Sequence, residues 1–92
     1  MLQRLTNTTR ADLSIRALHW RKDGQGWRLY GENGRRFGRV IPDSKHDGMW
    51  RTPLSGGRVS DMANLSWARA AVTEAAVREI EWEARQQALK RP

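Results

Sequence analysis

The sequence predicts an α+β fold: an antiparallel sheet of three or four strands with one long C-terminal helix packed on one face. Three observations carry that prediction. Asn33-Gly34 lies between two runs of strand-forming residues, and Asn-Gly is the strongest short hairpin signal because both central positions of a type I′ turn need positive φ. From Asn64 the apolar period changes from two to about 3.6, and no Gly or Pro interrupts it before Pro92. The length, 92 residues, allows one domain with one modest core.

Taken in order, residues 1–10 read as an arm. Leu13–Trp20 alternates, with Leu13, Ile15 and Ala17 on one side and Ser14, Arg16 and Leu18 on the other, and reads as the first strand. Asp23-Gly24-Gln25-Gly26 is a turn. Trp27–Tyr30 and Arg35–Ile41 are the hairpin strands, followed by a polar loop from Pro42 to Gly48. Met49–Leu54 reads as a short fourth strand, held at an edge by Pro53, which has no amide hydrogen to give a ladder. Gly56-Gly57 turns the chain and Arg58-Val59 adds a brief pairing, so the sheet occupies residues 13–59. Asn64 suits a helix N-cap, and the helix runs over 64–89. It is rich in Ala, Glu, Arg and Gln, with Glu74–Arg78 and Glu81–Arg85 as i,i+4 pairs in the favoured order.

A two-residue turn at Asn33-Gly34 fixes the cross-strand partners. Glu32 meets Arg35, Gly31 meets Arg36, Tyr30 meets Phe37, Leu29 meets Gly38, Arg28 meets Arg39 and Trp27 meets Val40. One face then carries Trp27, Leu29, Gly38 and Val40, a core face. The other carries Arg28, Tyr30, Arg35, Phe37 and Arg39, aromatic rings set among guanidinium groups. Two arginines directly opposite each other repel, which points to an anionic neighbour. These five residues are the expected partner-binding site, of the physical type on which RNA-binding sheets stack bases.

Along the helix, Leu65, Ala68, Val72, Ala75, Ala76 and Ile80 form a stripe for the sheet, with Gly38 offering a flat spot to meet it. A helix over 65–89 is about 37 Å long at about 1.5 Å per residue, whereas strands of five or six residues span about 17–20 Å. The last turns therefore overhang. Ala71, Trp82 and Leu89 align on a second side of the helix and are the expected oligomerisation or docking residues. The simplest arrangement is an antiparallel homodimer through the C-terminal helix.

Net charge is +7, with 14 Arg and 3 Lys. Residues 1–60 hold 12 Lys/Arg against 5 Asp/Glu, and residues 61–92 hold 5 of each, so all the excess charge sits on the part read as sheet. Arg grips phosphate and carboxylate bidentately and stacks on rings. Cysteine is absent, which excludes thiol chemistry and a disulfide framework and fits a cytoplasmic location. No apolar run approaches the roughly 20 residues that span a bilayer.

The loop Asp43-Ser44-Lys45-His46-Asp47 gathers two carboxylates and an imidazole, too few ligands for zinc or a hard metal, and His19 has no spaced partner. No phosphate loop, nucleophile elbow or paired-carboxylate pattern is present. The expectation is a protein with no catalytic residue, no metal and no cofactor.

Over residues 38–71 the chain carries G-x-V-x-P-D at Gly38–Asp43, G-M-W-R at Gly48–Arg51 and S-D-M-x-N-L-S at Ser60–Ser66. These motifs resemble small proteins carried by prophages and mobile elements of proteobacteria. The resemblance covers about a third of the chain and implies context rather than chemistry. Short, cysteine-free phage accessory proteins act by occluding host machines, and anti-CRISPR proteins are the best-known class. The expectation it sets is a non-enzymatic inhibitor of a host defence complex, acting by stoichiometric binding to a host protein or ribonucleoprotein. The alternative is a stand-alone module that binds RNA or DNA through the basic, aromatic sheet face.

Overall fold

In the computed structural model, which describes residues 9–90, the first element is a helix, α1, over Arg10–Arg16. The Thr9 hydroxyl accepts the Asp12 amide at 3.0 Å, and the Asp12 carboxylate accepts the Thr9 amide at 3.2 Å. This reciprocal cap satisfies two amides that a helix start otherwise leaves bare. Ala11, Ser14, Ile15 and Leu18 are half-buried, spaced as one helical face. The strand expected over Leu13–Trp20 is thereby corrected: it had apolar residues on both sides of its alternation, and only His19 and Trp20 are extended. Of the expected arm, residues 1–8 lie outside the described residues, while Thr9 and Arg10 open this helix.

Five antiparallel strands follow in sequence order: β1 His19–Asp23, β2 Gly26–Tyr30, β3 Arg36–Pro42, β4 Met49–Arg51 and β5 Ala63–Asn64. The fifth, beyond the three or four expected, is a two-residue pairing of Asn64 with Met49 and Ala63 with Trp50. Arg58-Val59 supplies the brief pairing expected of it, a bridge from Val59 to Pro53. Helix α2 spans Leu65–Leu89, with the Asn64 side chain accepting the Trp67 amide at 2.8 Å. Its buried residues, Ala68, Val72, Ala76 and Ile80, belong to the stripe read from the sequence. Ala75 is exposed and Leu65 half-buried. Leu29 and Val40, 1% and 0% exposed, centre the core beneath this helix. Arg69 of α2 lies over the rings of Trp20 and Trp27 at 5.0 and 5.1 Å, its stem covering apolar surface while its charge faces two π systems.

Between β2 and β3 the register holds at the far end and slips near the turn. Trp27 pairs with Val40 and Arg28 with Arg39, as expected, but Tyr30 pairs with Arg36. Two steps along β2 thus match three along β3, so Phe37 and Gly38 together oppose Leu29. This is a β-bulge, which turns both of its residues toward one side. Asn33 and Gly34 have φ of 57° and 75°, the positive values expected, but the loop contains Glu32 as well, closed by the Gly31 amide on the Arg35 carbonyl at 2.8 Å. The extra loop residue is what the bulge absorbs.

Candidate binding face of the sheet

The bulge re-sorts the five residues expected to share a partner-binding face. Phe37 packs against the core cluster on the helix side, its ring over Gly31, where an added Cβ would lie 2.7 Å from Phe37 Cε2. Arg35 leaves with it. Its guanidinium lies 4.5 Å from the Phe37 ring centroid and holds two carboxylates of α2: Glu83 at 2.7 and 2.8 Å, and Glu79. The hydrogen bonds from Arg35 hold the Glu83 carboxyl below the usual carboxylate range. The expectation that Arg35 and Phe37 share a face with Arg28, Tyr30 and Arg39 is therefore corrected: they form a clasp between the hairpin turn and the second half of α2. A two-residue turn would have kept them on the other face.

Arg28, Tyr30 and Arg39 do stay together, on the face opposite the buried Leu29 and Val40. Strand pairing adds residues that a first strand at 13–20 had hidden. The tight turn after Asp23 sets Arg21 against Arg28 and His19 against Tyr30, and the bulge sets Arg36 against Tyr30. Pairing outward from Asp23-Gly24-Gln25-Gly26 was the signal that reaches them. His19 is stacked on Tyr30, centroids 6.0 Å apart and rings 23° from parallel, and its Nδ1–H donates to the Ala17 carbonyl at 2.9 Å. Arg21 sits 5.6 Å from the Tyr30 centroid. The repulsion between Arg28 and Arg39 is answered in part from within: Asp23 accepts Arg28 Nε at 3.2 Å. Among the described residues, no carboxylate lies within ion-pair distance of Arg21, Arg36 or Arg39. Three guanidiniums without carboxylate partners thus lie on the strands that carry the stack of exposed His19 on half-buried Tyr30, Arg21 beside the Tyr30 ring and Arg36 also at the edge of the groove beside α2.

The polar loop after β3 is a brace. Asp43, its side chain only 9% exposed, accepts Arg51 Nε at 2.6 Å, His46 Nδ1 at 2.8 Å and the amides of Lys45 and His46 at 3.1 and 2.9 Å. The hydrogen bonds from Arg51, then His46, hold its carboxyl well below the ordinary range. Arg51 also donates to the Ser60 carbonyl at 2.9 Å, and the Ser60 hydroxyl accepts the Thr52 amide at 2.8 Å. Asp43, Arg51, Ser60 and Asn64, the polar anchors of the three motifs, all hold the frame. Among the described residues, no group of three His, Asp or Glu side chains is placed to hold a metal ion, and no helix is long and apolar enough to cross a membrane.

On α2, the expected docking residues Ala71, Trp82 and Leu89 are exposed, Trp82 by 56% and Leu89 by 77%. Trp67 is 74% exposed. It stands at a mostly apolar groove of about 660 Å³ between the first half of α2 and the segment 52–63, lined by Ala71, Ala75, Phe37, Leu54 and Met62 among others.

No protein-family model, curated protein or solved structure matches the chain.

Proposed function

We propose that this protein is a non-enzymatic nucleic-acid-binding module, docking the backbone of single-stranded RNA or DNA on the open face of its sheet. The observation that carries this reading is the set Arg21, Arg36 and Arg39, free of carboxylate partners among the described residues, on the strands that bear the stacked His19 and Tyr30, with Arg21 beside the Tyr30 ring. Guanidiniums neutralise phosphates, and an aromatic ring gains about 1–3 kcal/mol from a stacked base whatever its sequence. Affinity then rests on counterion release and falls with salt, with a slope near −0.7 per phosphate neutralised on a single strand. Fluorescence anisotropy with labelled single-stranded oligonucleotides, repeated across salt concentrations, tests it. Binding that weakens steeply with salt is the expected result; no binding at low salt refutes it.

Exposed Trp67, Trp82 and Leu89 favour a second reading, in which the protein inhibits a host defence complex by stoichiometric binding, since tryptophans anchor protein interfaces. Pull-down from host lysate with and without nuclease separates the two. A ribonucleoprotein retained after nuclease supports inhibition, and loss of all captured material supports nucleic-acid binding alone.

A further inference from the structure

We infer that helix α2 pairs antiparallel with α2 of a second copy of this chain, each copy's overhanging C-terminal half lying in the other's groove. The surface involved is separate from the basic sheet face. Beyond Ile80 no α2 side chain is fully buried; Ala84 and Gln86 are half-buried and Glu83 is held by Arg35, while Trp82 and Leu89 stand uncovered on the outer side. The molecule is elongated, 52 Å in its longest dimension against 30 and 21 Å. The apolar groove flanks the opposite, N-terminal half of the same helix. A two-fold axis across α2 puts the exposed Trp82 and Leu89 of each copy beside the other copy's groove, and no other simple symmetry does this for both at once.

Spacing and charge fix the register. Trp67, Ala71, Arg78, Trp82 and Leu89 recur at steps of four, seven, four and seven, one stripe along the helix. With the axis at the level of Ala76, Glu74 of each copy lies opposite Arg78 of the other, exchanging the long intrahelical contact of 4.0 Å for two intermolecular pairs. Trp82 then lies over Ala70 and Ala71, small residues that let an indole approach closely. Leu89 reaches the level of Ala63 and Met62 at the groove's end, and Trp67 meets Arg85, a cation–π pairing. One register thus sets Trp82 and Leu89 against small or apolar residues, Trp67 against a guanidinium, and Glu74 against Arg78 twice.

Sedimentation equilibrium of the full chain across the micromolar range tests this. The expected result is a reversible dimer. Trp82→Ala weakens it at least about tenfold, as loss of a central tryptophan anchor does. Glu74→Arg and Arg78→Glu each weaken it by bringing like charges together, and the double swap restores it, with circular dichroism confirming helix content in each variant. The swap carries the decision, since a loss of folding is not repaired by reversing two exposed charges. A monomer at every concentration overturns the inference, whether the stripe is then covered by residues 1–8 or reserved for a foreign protein. Unchanged dimerisation in both single-charge variants, or failure of the double swap to recover it, also overturns it.

Discussion

Val72 of the long helix lies directly on Gly38 of the central strand: a Cβ built at position 38 would come within 2.9 Å of Val72 Cγ1. Gly38 is half of the bulge, so the same residue that bends the strand also sets how closely the helix approaches it. Gly38→Ala is expected to destabilise the fold by about 1–3 kcal/mol through overpacking. Combined with Val72→Ala, the cost should fall well short of the sum of the two. Urea unfolding of the four proteins measures the coupling, and strict additivity would show that this contact does not set the helix height.

Arg21 and Arg39 carry the expected phosphate contacts without taking part in the fold's ion pairs. Arg21→Ala with Arg39→Ala should leave the melting temperature unchanged or slightly raised, since like charges are removed from one face. The salt slope of oligonucleotide binding should drop by about 1–2. An unchanged slope would remove this face from the binding reaction.

Arg35 gives the converse test. Its two carboxylate partners and the Phe37 ring are on its own chain, and all three charged groups are well exposed, so solvent screens the pairs. Arg35→Ala should cost about 0.5–1.5 kcal/mol at low salt, less at high salt, and leave oligonucleotide affinity nearly intact. Arg35→Lys should recover little of the loss, because an ammonium cannot fork between Glu79 and Glu83. A large fall in affinity in Arg35→Ala would return this residue to the binding face.

Asp43 makes the fold acid-sensitive. Its carboxyl titrates lower in the folded chain than in the unfolded one, so its contribution is complete above the ordinary carboxyl pKa of about 4 and is lost as pH falls below it. Thermal unfolding of the wild type should therefore shift down steeply between about pH 4 and pH 2. Asp43→Asn should melt lower at pH 7 and show a flatter acid limb. Parallel pH profiles for the two proteins would mean that another group governs the acid response.

The helix from Asn64 and the far end of the hairpin were readable because each rests on a local rule: an Asn cap with an unbroken 3.6 period, and positive φ at Asn33-Gly34. The clasp and the true open face were not, because they depend on one residue of register. The expected two-residue turn left out Glu32, and that slip carried Arg35 and Phe37 to the helix side. A glycine inside a strand is itself a bulge signal, and Gly38 was read only as a flat spot. At the other end, Thr9-x-x-Asp12 was the capping pattern that marks α1, while the apparent alternation over Leu13–Trp20 put apolar residues on both sides. That error hid Arg21 and His19, since a strand placed too early pairs with nothing at Arg28 and Tyr30.

The sheet's strand order, β1 to β5 in sequence, has a kinetic consequence. Each strand pairs with its neighbour in the chain, so no pairing waits for a distant segment to be found. Assembly can proceed as successive zippering of adjacent hairpins, with small loop-closure costs at each step. The nascent chain can complete its sheet before residues 65–89 follow, leaving the basic face formed first and the helix as the last piece to lock over Leu29 and Val40.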